Sequence, residues 1–279
     1  MSQFLLMIFF FSNNEKERKF LTKQLSEFFN LKDLGEVSQC LGMTVNRDVN
    51  AQTIKLSHEK YTLNLLDKYN MWNCKPISTP IIDTKFDNLP PDLNLEKSYQ
   101  QLISSLLYLS VTSRPDISFA VTFLSQFSKQ PNQQHWSAAK RILRYLKFSA
   151  NICLTYKKSE NCLTGFVDSD GANNDLKRKS LSGNFFILSN AAVSWECRKQ
   201  QTVALSSSEA EYLSLSDASK KAIYLKKLLE ELTGFSNLIT INCDNQSALS
   251  LAENPVHHDG QNTSIIGIIL SVNKSETKN

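Results

Sequence analysis

SSSEAEYLSLSDASKKAIYLKKLLEEL, residues 206–232, decides how the second half of the chain folds. Leu215, Ala218, Ala222, Leu225, Leu229 and Leu232 recur at spacings of three and four, the period of an amphipathic helix. Ahead of it, Leu163–Asp168 (LTGFVD) reads as a short strand. Asn184–Leu188 and Ala192–Trp195 read as a hairpin around Ser189–Ala191. After the helix, Ile239–Cys243 is a buried strand and Gln246–Ala252 a short helix. Three meandering strands, a helical crossover and a further strand predict a mixed sheet with helices packed on it, an α/β fold.

Outward from that unit towards the N-terminus the pattern is α+β. Glu15–Phe29 reads as a helix with Phe20, Leu21, Leu25 and Phe28 on one face. Leu31–Leu56 is strand-rich, with Gly35 and Asp48–Gln52 as turns, and His58–Tyr69 is a helix that aligns Tyr61, Leu65, Leu66 and Tyr69. Prolines 76, 80, 90 and 91 make an extended connector, because proline lacks the donor that regular structure needs. Residues 98–158 read as mostly helical, punctuated by Pro115 and Pro131 and including the helix His135–Lys147. Ile142, Leu143 and Leu146 take one side of that helix. Lys140, Arg144 and Lys147, with Arg141 beside them, form a basic stripe suited either to a phosphate backbone or to plain solvation. The expected divisions are residues 1–72, a Pro-rich linker 73–97, a helical region 98–158, the α/β domain 159–258 and a tail 259–279.

The bulk numbers exclude several classes. A hydrophobic fraction of 41% and a charged fraction of 21% are ordinary for a folded chain. Net charge is only +4, so a nucleic-acid partner has to be argued from where the cations sit. The six cysteines form no CxxC pair and no Cys/His cluster at zinc spacing, which reads as reduced thiols. Phe4–Phe11 (FLLMIFFF) is too short to span a bilayer, and no Lys or Arg precedes it as a signal peptide requires. A buried strand is the expected reading, with an intracellular location, cytoplasmic or nuclear, neither secreted nor in a membrane. No particular protein partner is indicated.

Asp168 ends the first strand of the α/β unit and Asp244 follows the fourth, so both belong at the strand-end edge where α/β sheets place their sites. Glu209 is explained by a capping box, Ser206 covering a helix amide and Glu209 reaching back to the Ser206 backbone. Glu211 lies two positions on, about 200° round the helix, and is left to face the sheet. Three converging carboxylates suit a hard cation such as Mg²⁺. The other reading is ordinary strand-end and surface acids, and Asp170 competes with Asp168 for the first position.

Longer stretches carry a resemblance. DSD (168–170), RKSLSGNFFIL (178–188), VSWECRKQQTVALSSSEAEYLSLSDA (193–218) and INCDNQSALSLAENPVHH (241–258) resemble the Pol polyprotein of copia-type retrotransposons. So do SLLYLSVTSRPDISFAVTFLSQFSKQPNQQHWSAAKRILRYLK (105–147), NLKDLGEVSQCLGMTV (30–45) and CKPISTPI (74–81). The match runs from about residue 12 to residue 258. It implies a ribonuclease H-like mixed sheet with flanking helices in the C-terminal half, preceded by an α+β remnant of a reverse-transcriptase thumb and connection. The implied activity is hydrolysis of the RNA strand of RNA–DNA hybrids with Mg²⁺, or Mn²⁺ in its place. Asp168, Glu211 and Asp244 fall on the family's catalytic, metal-holding carboxylates. Lys177, Arg178 and Lys179 after the first strand, and Arg198 and Lys199 after the third, would grip phosphates unless they are solvated loops.

The sequence departs from the family in three respects. Gly171 stands where a tryptophan is usual. Ile265 occupies the place of the fourth carboxylate, with Asp259 nearby but off the motif. Leu6 and Met7 replace the polymerase aspartates, so no polymerase activity is expected. Two expectations follow: an endoribonuclease, or a non-catalytic, decayed element fragment that at most binds nucleic acid.

Overall fold

The computed structural model describes residues 15–30, 35–82, 84–159, 162–170, 179–234, 238–253 and 268–272. They fall in two compact units, Met1–Ser38 and Gln39–Asn279. The described part of the first includes helix α1 (Glu15–Ser26), with an ion pair of 2.9 Å between Lys19 and Glu15 one turn apart. Phe20, Leu21 and Phe28, which the spacing aligns on one face, are exposed. Phe4–Phe11, with Leu6 and Met7, lies outside the described residues.

The second unit opens with an antiparallel sheet of β1 (Gln39–Cys40), β2 (Met43–Asp48), β3 (Thr53–Ser57) and β4 (Leu154–Lys157), in that order. The Asp48–Gln52 turn forms as expected, Asp48 Oδ1 accepting from Ala51 N at 2.8 Å. β4 arrives from beyond the helical stretch and pairs Leu154 with Leu56. Helices α2 (Glu59–Lys68), α3 (Glu96–Thr112), α4 (Ser118–Ser125) and α5 (Gln133–Phe148) share one core that includes Leu66, Leu102, Leu106, Leu124, Ile142 and Leu146. Each such side chain contributes about 1.5–3 kcal/mol on burial. α5 begins two residues ahead of the expected His135 because Asn132 caps it: Asn132 Oδ1 accepts from the backbone of Gln134 and His135, and His135 Nδ1 accepts from Asn132 N.

The Pro-rich connector is fastened to this core. Ile77, Ile81 and Phe86 pack against it. The carbonyls of a stretch that makes no ladder need other donors, and α5 supplies them. Arg144 Nε donates to the Lys75 carbonyl at 2.8 Å, and Lys147 Nζ to the Cys74 carbonyl at 2.9 Å and to that of Trp72.

The second sheet contains β5 (Thr164–Asp170), β6 (Leu181–Leu188), β7 (Ala191–Lys199), β8 (Ile239–Cys243) and β9 (Ile268–Val272). Its order is β7-β6-β5-β8-β9, antiparallel from β7 to β5 and parallel from β5 to β9. The hairpin turn places Ser189 and Asn190 at φ 54° and 68°, the paired positive values of the turn that matches strand twist. Helix α6 (Ser207–Thr233) is the crossover, and α7 (Gln246–Glu253) follows β8. Leu215, Ala218, Ala222 and Leu225 of α6 pack with Val167, Phe186, Ile241 and Cys243. Leu232, expected on the same face, is 73% exposed near the helix end, which Gly234 closes at φ 73°. β9 comes from within the expected tail 259–279, so the sheet runs past residue 258. Gly171, Asp259 and Ile265 lie outside the described residues.

At Gly165 β5 lies tight against a side chain of β6: a Cβ there would stand 2.6 Å from Phe186 Cε1, and Phe186 is fully buried. Gly165→Ala therefore should destabilise the chain by about 2 kcal/mol through overpacking, read as a lower urea midpoint. An unchanged or higher midpoint would show that the aromatic ring yields freely.

Candidate metal centre

β5 and β8 run parallel with Val167 opposite Cys243, so the next residues, Asp168 and Asp244, emerge side by side from neighbouring strands. Neighbouring strands lie about 4.8 Å apart. Both aspartates are exposed at that edge. Glu211, in the second turn of α6, comes down on it from the helix and is only 7% exposed. Its Oε1 accepts from the backbone N–H of Ser169 at 3.1 Å. Its Oε2 is buried and has no hydrogen-bond partner among the described residues. Carboxylate oxygens of Glu211 and Asp244 and the Cys243 sulfur all lie within 4.8 Å of one another.

Burial pushes the Glu211 carboxyl above its ordinary range, and the charges of Asp168 and Asp244 push it further, against the pull of the Ser169 hydrogen bond. The Cys243 thiol is raised by burial first and then by the charges of Glu211, Asp244 and Asp168, which keeps it protonated. A protonated thiol is no ligand for a hard cation. The donors that remain are carboxylate oxygens. Asp168 and Asp170 are also distinguished. Asp168 acts on Glu211, while Asp170 acts on the Cys197 thiol and is itself raised by burial and by Asp168. Among the described residues no ion pair reaches Asp168, Glu211 or Asp244. Asp168 lies outside that 4.8 Å group and reaches Glu211 through its charge. Clustered negative charge, one buried oxygen without a donor and the close Glu211 and Asp244 oxygens are what fit a divalent cation such as Mg²⁺.

The cap is built a little differently from the expectation. Ser206 Oγ accepts from Glu209 N at 3.1 Å, but the Glu209 carboxylate takes the Leu205 N–H, one residue farther back than Ser206. Either way Glu209 is occupied with the helix start.

The basic residues divide by location. On α5, Arg141 donates to Thr79 Oγ1 at 2.8 Å and Lys140 lies 5.7 Å from the Trp136 ring centre, so with Arg144 and Lys147 all four contact other groups of the chain. Lys179, Arg198 and Lys199 sit at the carboxylate end of the second sheet, since Leu181 pairs with both Asp170 and Lys199. Lys179 Nζ donates to the Gln201 carbonyl, Arg198 pairs with Asp217 and at 3.6 Å with Glu196, and Lys199 donates to Gln126. Lys177 and Arg178 lie outside the described residues. Sequence reasoning missed Ser169, whose contribution is a backbone N–H that no side-chain pattern announces.

A buried carboxyl that binds its proton more tightly in the folded than in the unfolded chain makes stability fall as pH rises through its raised value. Above that value its charge remains a penalty. Glu211→Gln should therefore melt at a higher temperature than the unaltered chain at pH 7 without divalent cation, the gap closing as pH falls below the ordinary glutamate range. Equal melting at both pH values would contradict the strained carboxylate.

Comparison with known proteins supplies the ancestry. The family model for reverse transcriptase (RNA-dependent DNA polymerase) matches residues 4–83. A retrovirus-related Pol polyprotein from transposon TNT 1-94 of Nicotiana tabacum is 38% identical over 246 residues, 85% of this chain and 18% of that protein. The corresponding polyprotein from transposon RE2 of Arabidopsis thaliana is 36% identical over 84% of this chain and 16% of its own length. A secreted RxLR effector protein of Plasmopara viticola is 42% identical over 46% of this chain and 90% of its own. The chain thus spans less than a fifth of the Pol relatives it matches. No helix among the described residues is long and apolar enough to cross a membrane. The chain belongs to the copia-type, retrovirus-related Pol polyproteins of transposons.

Proposed function

We propose that the second sheet and its helices form a ribonuclease H-type domain that hydrolyses the RNA strand of RNA–DNA hybrids with Mg²⁺ or Mn²⁺. The observation that carries this reading is the spare buried oxygen of Glu211, with the charges of Asp168 near the end of β5 and of Asp244 just after β8 acting on the same carboxyl. The strand order β7-β6-β5-β8-β9 with α6 as crossover supports it, as does kinship with Pol polyproteins, whose chemistry concerns nucleic acid.

Asp168, Glu211 and Asp244 would hold the cation. When bound, a divalent ion supplies charge neutralisation and Lewis acidity at a phosphodiester. The chain's own groups prepare that site. Ser169 N–H fixes one Glu211 oxygen so that the other is presented, and Asp168 and Asp244 offer theirs at the open edge. Lys179, Arg198 and Lys199 border that edge and, with Lys177 and Arg178, would steady phosphates. Selectivity for a hybrid would come from 2′-hydroxyl contacts on one strand and from minor-groove shape. Polymerase activity is not part of the proposal, since Leu6 and Met7 occupy the aspartate positions of the resemblance. An intracellular site of action follows from such a substrate.

One observation favours a second reading, a non-catalytic fragment that only binds nucleic acid: Ile265 stands where the family carries its fourth acid. A labelled RNA–DNA hybrid incubated with Mg²⁺ or Mn²⁺ separates the two. The nuclease reading predicts cleavage by the unaltered chain that drops at least about a hundredfold in Asp168→Asn, the scale expected when transition-state charge loses a partner. Cleavage seen only after a family-like ending is grafted beyond residue 258 would support the fragment reading. Cleavage that survives Asp168→Asn undiminished would end the assignment of the site.

A further inference from the structure

Behind Glu211 lies a buried polar cluster that packing alone does not account for. Gln200 follows the last residue of β7 and is 7% exposed. Its Nε2 donates to the Ala210 carbonyl at 2.9 Å and to Ser182 Oγ at 3.0 Å, and its backbone N–H donates to the Ser180 carbonyl at 2.9 Å. Ser214 Oγ stands 3.0 Å from the same Ala210 carbonyl and 2.7 Å from Ser182 Oγ. The far oxygen of Gln200 is buried with no partner among the described residues. A buried acceptor left in that state is costly, whereas an apolar side chain of similar length would fill the space without the penalty.

What the amide grips explains its presence better than the space it fills. The Ala210 carbonyl and the Glu211 nitrogen belong to one rigid peptide plane. Holding that carbonyl therefore orients the backbone from which the Glu211 side chain departs. The other anchor of the Gln200 amide, Ser182, is paired with Ser169 across β6 and β5. Ser169 is the residue whose N–H holds Glu211 Oε1. Gln200 thus spans from β6, the neighbour of the strand that seats the Glu211 carboxylate, to the peptide that launches it.

We propose that Gln200 is a positioning residue for Glu211, fixing where its carboxylate stands for a divalent cation; the identity of the ligand rests on the metal-centre reading, the geometry does not. Two readouts on the full chain test it: Mn²⁺ binding followed by electron paramagnetic resonance, and the pH titration of the Glu211 carboxyl by ¹³C NMR, assigned with Glu211→Gln. Gln200→Met keeps the length and removes the donors. It should weaken Mn²⁺ binding about tenfold, as loss of a group that orients a metal ligand does, and should displace the Glu211 midpoint. Ser214→Ala removes a hydroxyl from the same cluster but leaves both Gln200 bonds, so both readouts should stay as in the unaltered chain. If the unaltered chain binds no Mn²⁺, the metal reading fails, while a displaced Glu211 midpoint in Gln200→Met still supports positioning. If Gln200→Met does not fold, the unaltered chain answers: the Gln200 side-chain amide protons should shift with the Glu211 midpoint. A folded Gln200→Met with an unmoved midpoint and Mn²⁺ affinity, or amide signals indifferent to Glu211 protonation, would overturn the proposal.

Discussion

The hydrogen bond from Ser169 N–H to Glu211 Oε1 ties the crossover helix to the strand that carries Asp168, and the character of the site depends on it. It joins a nearly buried carboxylate to the exposed end of a sheet without neutralising it. One bond satisfies one oxygen and leaves the other buried without a partner among the described residues, within reach of the charges of two aspartates. A Glu at this depth would ordinarily be paired or protonated. Here the sheet register sets Asp168 and Asp244 on neighbouring strands beside it, so like charges accumulate. A fold keeps such an arrangement only where something else rewards it, and a cation is the simplest compensation.

The surrounding architecture holds that arrangement still. Ala218 and Ala222 let α6 lie close over Val167 and Ile241, and Gly165 leaves room for Phe186. The Ser206 cap and the Gly234 stop bound the helix at both ends, which fixes its register against the sheet. Arg198 adds an ion pair from β7 to Asp217 on the same helix. It is about half exposed, and pairs of that kind contribute little, about 1 kcal/mol at most. Apolar packing and the Gln200–Ser182–Ala210 contacts carry the rest.

Much of the second sheet was legible in the sequence. Period-two strands, a tight hairpin and a long helix of period 3.6 each carry their own signal, and the helix arithmetic that set Glu209 aside and turned Glu211 inward agrees with its burial. Asp168 and Asp170 could not be separated that way, because residues two apart share a strand face; the charges they act on separate them. The pairing of β3 with β4 was illegible for a different reason: nearly a hundred residues intervene, and alternation says nothing about distant partners. The stripe on α5 was ambiguous in principle. Spaced cations suit a row of phosphates or a row of backbone carbonyls equally, and Arg144 and Lys147 reach carbonyls of the connector. The strand Ile268–Val272 was hidden because resemblance to the family stops before it, although IILSV has the apolar, branched composition of a buried strand.

The central claim is that Asp168, Glu211 and Asp244 share a cation. Crystals of the chain soaked in Mn²⁺ and measured for anomalous scattering test it directly, because the signal locates the ion without reference to activity. An anomalous peak in contact with oxygens of all three side chains is the predicted result. A peak elsewhere, or none at these carboxylates with Mn²⁺ in excess, would contradict it.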